Sequence, residues 1–230
     1  VSLGIADTDV NLDGSGNLVI TDANGGDTDD TILITVGTNA TLSQDGYTIF
    51  DSSGLLTTSI AGSVRVSENE IFIPFTSISG SEVQVDTLGG TDTLIIDLQG
   101  GGAGALQQMI VFTGGTSAGD NDTLEVRNGV FGTVTHDMIN GTDGSIDLDS
   151  NMSAEITYTG LEPVDMTGST ATDFVFNLPA GVDNAQLTDI GGGILRLEST
   201  DATATFESTD FASPSGSITI NGGSDDFLSL

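Results

Sequence analysis

The sequence contains no cysteine, no lysine and no tryptophan, and only 3 of its 230 residues are cationic. Without cysteine, the chain can form neither disulfides nor a thiol-based active site. The absence of cysteine does not identify the cellular compartment. Without a basic patch that could displace counterions from phosphates, we expect no nucleic acid partner. No apolar run approaches the roughly 18 residues of a membrane-spanning helix, so we expect no membrane insertion.

Acidic residues dominate the charge of the chain. Aspartate and glutamate number 34, which gives a formal net charge of −31. A charge of this size repels itself, so salt or divalent cations must compensate it. The chain is nevertheless rich in valine, isoleucine and threonine, unlike disordered acidic chains. The sequence therefore predicts a folded protein that depends on cations.

Helical periodicity is almost absent, and 32 glycines interrupt the chain throughout. Short segments rich in β-branched residues recur, each bounded by Gly, Asp, Asn or Ser. Two of them, EVQVDTL (82–88) and ILRLES (194–199), alternate strictly between apolar and polar residues. Alternation of this kind is typical of strands with one buried face. The sequence predicts an all-β protein, and its length suits one large unit or two smaller ones.

One turn motif recurs at irregular intervals along the chain. It consists of a strand, Gly-Gly or Gly-Ser, a short polar insert, an aspartate and a second apolar strand. The copies are ANGGDTDDTILIT (23–35), TLGGTDTLIIDL (87–98), FTGGTSAGDNDTLEV (112–126), MTGSTATDFVFNL (166–178) and INGGSDDFLSL (220–230). The glycines permit the positive φ angles that sharp turns need. We expect these turns to lie above one another in the folded protein.

The aspartates of these turns have two interpretations. They can accept hydrogen bonds from nearby backbone N–H groups and so cap the turns. Alternatively, carboxylates of adjacent turns and backbone carbonyls can bind Ca²⁺, which takes six to eight oxygen ligands. For calcium as the cofactor, the candidate ligands are Asp27, Asp29, Asp30, Asp92, Asp120, Asp122, Asp225 and Asp226.

The segment DTDVNLDGSGN (7–17) is similar to the start of an EF-hand loop. Asp9, Asn11 and Asp13 would occupy its first three ligand positions, but Ile20 stands where a bidentate glutamate is needed. No helices are predicted on either side. We therefore interpret DGSGN as the turn of a β-hairpin.

The Gly-Gly-x-Asp-x-Leu turns resemble diverged RTX (haemolysin-type) calcium repeats. The segments 143–181 and 214–230 are more similar to the Gly/Asp/Thr-rich repeats of very large secreted or surface proteins of aquatic bacteria. This resemblance implies a parallel β-solenoid-like module in a long extracellular polypeptide that serves as an adhesin, sheath or fibre.

Catalytic signals are weak. The only histidine, His136, lies beside Asp137, but no G-x-S-x-G nucleophile motif accompanies it. Arg65 and Arg196 alternate with apolar neighbours, so we expect them to pair with nearby acids on the solvent-facing side. Among 34 acids, a pair spaced for glycoside hydrolysis occurs by chance and indicates nothing. We therefore predict no enzymatic activity and no catalytic residue.

Taken together, the sequence predicts a right-handed parallel β-helix or a related solenoid, with tandem β-sandwich domains as the alternative. Residues 1–98 and 99–230 are two β-rich halves of one continuous unit. Val1 and Leu230 lie in strand-like sequence without polar caps, so the terminal coils are expected to meet another copy. The predicted function is a calcium-stabilised structural subunit of an extracellular filament, sheath or surface layer. A calcium-dependent adhesin module that binds surface glycans and a carbohydrate-active β-helix enzyme are the alternatives.

Overall fold

The computed structural model describes residues 7–23, 28–115, 121–223 and 225–230. Over these ranges the protein is all-β, as the sequence predicts. It has 21 strands, numbered here in chain order, and two 3-10 helices at Phe75–Ser77 and Ala103–Ala105. No described helix is long or apolar enough to cross a membrane.

The strands form two large mixed sheets. The ten strands of sheet A are, in spatial order, β20 (Ser217–Asn221), β16 (Thr170–Asn177), β12 (Val130–Met138), β13 (Gly144–Asp147), β14 (Ile156–Thr159), β10 (Met109–Thr113), β8 (Glu82–Asp86), β2 (Leu18–Asp22), β1 (Thr8–Leu12) and β5 (Leu56–Thr58). The eleven strands of sheet B are β21 (Phe227–Ser229), β17 (Asn184–Gly191), β18 (Ile194–Ser199), β19 (Thr209–Ala212), β15 (Val164–Met166), β11 (Thr123–Arg127), β9 (Thr93–Asp97), β3 (Thr31–Asn39), β4 (Gln44–Asp51), β7 (Glu70–Pro74) and β6 (Val64–Ser67).

The chain passes repeatedly from one sheet to the other. From β8 it crosses to β9, returns to β10 and crosses again to β11. Each returning strand pairs in parallel with an earlier strand of its sheet: β2, β8, β10 and β14 form one parallel series. In sheet B the parallel series is β3, β9, β11, β15 and β19. Successive crossings between the sheets therefore lie next to one another.

Antiparallel strands interrupt both series, so the sheets are mixed. The expected parallel β-helix would have had purely parallel sheets. They include the β3–β4 hairpin, the β12–β13–β14 meander and the β17–β18–β19 meander. The predicted hairpin at DGSGN is confirmed, because β1 and β2 pair antiparallel around it. Asp13 caps this turn by accepting hydrogen bonds from the backbone N–H groups of Ser15 at 2.7 Å and Asn17 at 2.9 Å.

The two sheets share one hydrophobic core. Burial alternates along most strands, and the buried side chains of both sheets form a single contacting cluster. Phe174 of β16 packs against Phe211 of β19 with ring centroids 4.7 Å apart, which joins sheet A to sheet B. Each fully buried residue of this kind contributes roughly 1.5–3 kcal/mol to the free energy of unfolding.

Glycine permits the close stacking of the crossings. Gly115 has a φ of +105°, and a Cβ atom there would lie 2.1 Å from the Leu88 carbonyl oxygen. At Gly160, with a φ of +73°, it would lie 2.3 Å from the Gly115 carbonyl oxygen. Three successive turns therefore contact one another through bare backbone, which only glycine allows.

We predict that Gly160→Ala destabilises the protein by about 3 kcal/mol or more, because it adds both left-handed backbone strain and a contact with Gly115. The control is Gly100→Ala, where φ is +87° but nothing lies within 4 Å of the added atom. Strain alone should cost that variant about 1–2 kcal/mol. Chemical denaturation measures both, and equal losses would contradict the stacking of the turns.

Candidate functional site

Five acids lie in register along the edge of sheet B where its strands begin. We call Asp30, Asp92, Asp122, Glu162 and Glu207 the acidic ladder. The first three immediately precede β3, β9 and β11, whose first residues are aligned. The registers of β15 and β19 place Glu162 and Glu207 in the same row. Three of the five turns that were expected to stack, those of Asp30, Asp92 and Asp122, are thus aligned in this row, whereas the copies at 166–178 and 220–230 lie elsewhere in the sheets.

Side chains of the acidic ladder hold the backbone of the neighbouring strand. The Asp30 N–H donates to Asp92 Oδ1 at 2.7 Å, and the Asp92 N–H donates to Asp122 Oδ1 at 2.8 Å. Backbone bonds run in the same row: Thr93 N–H donates to the Asp30 carbonyl at 2.8 Å. These aspartates therefore cap backbone N–H groups, which agrees with the first interpretation. The N–H group that each one caps belongs to a neighbouring turn and not to its own.

Every acid of the acidic ladder except the exposed Glu162 is buried, which makes its ionised form costly in free energy. Asp92 is fully buried, and Asp30 is 2% exposed. Desolvation is the main cause that raises the pKa of each to about 6, and repulsion from other aspartates adds to it. Asp92 Oδ2 and Thr87 Oγ1 are buried, and neither has a hydrogen bond partner among the described residues. The Thr87 hydroxyl is still near enough to lower the pKa of Asp92 somewhat.

Asp30, the first residue of the acidic ladder, also belongs to a second group of carboxylates. We call Asp7, Asp30 and Asp51 the corner cluster; one oxygen of each lies within 4.8 Å of the others. Ser53 Oγ lies 2.7 Å from Asp30 Oδ1 and 2.6 Å from Asp51 Oδ1. Because one hydroxyl carries one hydrogen, Ser53 can donate to only one of them. Asp30 and Asp51 therefore compete for a single hydroxyl donor.

No described cation neutralises these carboxylates. Arg127 pairs with Asp97 at 3.1 Å, and Arg196 pairs with Asp210 at 2.7 Å. Arg65, contrary to our expectation of an acidic partner, donates to backbone carbonyls, including that of Leu56 at 2.6 Å. The arginines therefore do not neutralise Asp30, Asp51 or Asp92.

The other predicted metal ligands lie in different surroundings. Asp29 is exposed and its Oδ1 accepts the Thr91 N–H at 2.9 Å. Asp226 Oδ1 accepts the N–H of the buried Asp183 at 3.0 Å, whereas Asp225 is exposed. Asp27 and Asp120 lie outside the described residues. The acids that come together therefore belong to successive turns and not to one turn.

Sequence reasoning missed a cluster in the loop after β13. Asp147, Asp149 and Glu155 bring one carboxylate oxygen each within 4.8 Å of the others. Both Asp147 oxygens hold backbone N–H groups of the loop, that of Met152 at 2.8 Å. The signal was available, because every second residue from Asp147 to Glu155 carries a side-chain oxygen (D-x-D-x-N-x-S-x-E).

The single histidine is a core residue. His136 is completely buried, with Nε2 2.6 Å from the Tyr158 hydroxyl and Nδ1 3.1 Å from the Thr209 hydroxyl. Burial lowers its pKa to about 3. Glu207 is buried nearby, and desolvation, followed by repulsion from Glu162, raises its pKa to about 8. Glu207 is therefore largely protonated at neutral pH.

No protein-family model matches the chain, and neither curated proteins nor solved structures show significant similarity to it. The functional argument accordingly depends on the geometry of the chain itself.

We predict that Glu207→Gln flattens the pH dependence of stability between pH 6.5 and 8. The pKa of Glu207 is raised on folding, so its contribution to stability is present below pH 4.5 and is lost as pH rises through about 8. The wild-type free energy of unfolding should fall by up to about 1.4 kcal/mol per pH unit from this group. His136, whose pKa is lowered on folding, contributes a slope of opposite sign that fades as pH rises above 6.5, and this contribution is the same in wild type and variant, so the difference between them reports Glu207.

Chemical denaturation at several pH values, in chelator, measures this effect. Glu198→Gln on β18 is the control, because it makes the same chemical change at a more accessible acid. That control should keep the wild-type slope. An unchanged slope in Glu207→Gln would show that Glu207 is ionised in the folded protein throughout this range.

Proposed function

We propose that the chain is a structural module that stacks end to end with further copies in a calcium-stabilised extracellular filament, sheath or surface layer. In this proposal each module is a β-solenoid-like unit, wound alternately through sheets A and B. The parallel strand series and the repeated crossings between sheets support that winding. The resemblance to repeats of large bacterial surface proteins supports the extracellular location.

The observation that carries the proposal is the absence of acids from the edge strands. The outermost described strands are β20 and β5 in sheet A and β21 and β6 in sheet B. None of the four contains an aspartate or glutamate, whereas 14 of the other 17 strands do. Edge strands of soluble proteins usually carry charge that prevents pairing with another chain. In a chain of net charge −31, edge strands without acids favour such pairing, and their single charged residue is Arg65 of β6.

Apolar exposure and strand direction agree with this role. At one end Phe227 is 75% exposed, and at the other Val66 is 51% exposed. β20 and β21 run in the direction of the parallel series of their sheets. β5 and β6 run in the opposite direction. An end-to-end contact would therefore form an antiparallel pair in both sheets at once.

A row of polar side chains also leads to the β20 edge. Asn177 of β16 donates to Asp137 of β12, and Asn221 of β20 donates to Asn177 Oδ1 at 2.7 Å. Each member of the row thus bonds the previous one along the stacking direction. A further strand beside β20 could extend the row, which supports continuation of the sheet across a junction.

The calcium part of the proposal is supported by the buried acids. Carboxylate oxygens are the ligands that Ca²⁺ prefers. The described chain offers two groups of three within 4.8 Å, together with the acidic ladder. Its only cations are the three arginines, all engaged elsewhere. Binding divalent ions would offset repulsion within and between modules.

We predict that the wild-type chain forms polymers at neutral pH in calcium, and that the double variant Thr219→Glu, Leu228→Glu sediments as a single chain. These substitutions place a charge at the centre of β20 and of β21, where pairing with a further strand would remove it from water at a cost in free energy. Sedimentation velocity and electron microscopy measure the size of the species.

The matched control is Ile139→Glu, an exposed apolar residue outside the strands, which should polymerise as the wild type does. A wild-type chain that stays monomeric under all ionic conditions would refute end-to-end assembly. Polymerisation of the double variant would show that the junction lies elsewhere.

We also predict that calcium raises the thermal midpoint more than sodium chloride of equal ionic strength does. A ligand at 100 times its dissociation constant adds about 2.7 kcal/mol to the free energy of unfolding. For a chain of this size that corresponds to a rise of several degrees, about 2–4 °C per kcal/mol. Thermal melts with calcium and with chelator test this, and identical midpoints would exclude tight calcium sites.

A further inference from the structure

The two ends of the sheets differ in how well the core is covered. At the end formed by β20 and β21, the side chains of Ile218 and Ile220 pack against the core but are only partly buried. Leu228 of β21 also faces the core, because its register partner Ala185 is 2% exposed, yet Leu228 itself is 47% exposed. This end therefore leaves part of the hydrophobic core uncovered, and we call it the open end.

The opposite end, formed by β5 and β6, is closed by contacts within the chain. Leu56 is 1% exposed although it lies in an edge strand, and Ile60 in the following loop is 7% exposed. The Leu56 N–H donates to the Glu68 carbonyl at 3.1 Å, and Arg65 Nη2 donates to the Leu56 carbonyl at 2.6 Å. Because both backbone groups of Leu56 are engaged, this part of the β5 edge has no hydrogen bond to offer a further strand.

The β20 edge of the open end is self-complementary. Its sequence, SITIN, can be placed antiparallel against a second copy of itself around Thr219. Ile218 then lies opposite Ile220 on the core side, and Ser217 lies opposite Asn221 on the outer side. No charges face each other in this arrangement. Each partly exposed isoleucine gains an apolar cross-strand neighbour, which stabilises the pair.

Charge limits which surface can cover the open end. The chain has a net charge of −31, and most of its other strands contain acids. An acidic surface placed against this end would have carboxylates removed from water without a partner. β20 and β21 contain no acid, and Asp225 and Asp226 precede β21, so they flank the contact. The open end of a second copy is therefore the best-matched occupant.

We propose that copies of this chain join through their open ends as symmetric pairs, in which β20 pairs with β20 and β21 with β21 of the second copy. The two sheets face each other across one core, so a single two-fold axis perpendicular to them can relate both strand pairs. Such an axis makes identical strands antiparallel. The inference rests on the proposed self-assembly and specifies which ends meet. The symmetric pair, and not the single chain, is then the unit that a filament or layer repeats.

Thr219→Cys tests the symmetric pair, because the chain has no cysteine of its own. Thr219 is exposed at the centre of β20, so the two residues 219 of a pair would lie across the junction from one another. A short reagent with two thiol-reactive groups, added in the presence of calcium, should link two chains of this variant as the main product. Mass spectrometry of the linked peptides identifies the residues that are joined.

Two further variants locate the contact. Ile139→Cys is the matched control, since it places a thiol at an exposed residue outside the strands and should stay unlinked. Thr57→Cys places a thiol at the centre of β5, at the opposite end of sheet A. In an equal mixture of the Thr57 and Thr219 variants, symmetric pairs link residue 219 to residue 219. Head-to-tail contacts link residue 57 to residue 219.

A second measurement covers the case in which residue 219 is unreactive or Thr219→Cys does not fold. The same antiparallel register predicts that an equal mixture of Ser217→Cys and Asn221→Cys links residue 217 of one chain to residue 221 of another. Before the reagent is added, each variant should sediment as the wild type does. A variant that passes this check has kept the junction intact.

The outcomes separate the symmetric pair from the proposed function. Links between two residues 219, or between residues 217 and 221, support the pair. Links between residues 57 and 219 alone overturn the pair and leave head-to-tail assembly intact. Polymers in which none of these links form also overturn the pair, because the junction then lies elsewhere. A chain that forms no links and sediments as a single chain overturns the pair together with the proposed assembly.

Discussion

The structure depends on one recurrent interaction, in which a buried carboxylate accepts the backbone N–H of the equivalent residue in the preceding turn. The pair Asp30–Asp92 and the pair Asp92–Asp122 repeat it in the same row of sheet B. Such a bond gives a partner to the backbone N–H of the residue just before a strand begins. It also aligns successive crossings between the two sheets. Its cost is that acids stack above one another away from solvent, at 0% exposure for Asp92.

The distribution of charge follows from this arrangement. Acids lie at the crossings and in nearly every interior strand, while the four edge strands have none. Repulsion therefore acts within the module, where cations can bind between carboxylates, and is weak at the two ends. A chain of this composition that only needed to remain monomeric would gain from acids at its edges. Their absence there is a reason to treat the module as a unit of a larger assembly.

Much of this fold could be predicted from local sequence. The alternation in 82–88 and 194–199, the DGSGN hairpin and the Gly-rich turns all specify structure within a few residues, and the expected stacking of turns is present at Gly115 and Gly160. The corner cluster could not be predicted, because Thr8 and Asp51 meet only after β1 and the β3–β4 hairpin have taken their places. The other antiparallel pairs were missed for the same reason, since pairing partners are set by tertiary contacts.

The buried acids of this protein differ in how far a proton can neutralise them. Glu207 is repelled mainly by one other acid, Glu162, and burial raises its pKa to about 8, so a proton neutralises it at pH 7. Asp30 is repelled by Asp51, Asp22 and Asp92, yet its pKa rises only to about 6, which leaves it mostly ionised at pH 7. One proton would also leave the remaining carboxylates of the corner charged. A divalent ion would neutralise two charges at once and bind several oxygens together, which is why the proposed calcium would offset the charge of such a cluster better than one proton does.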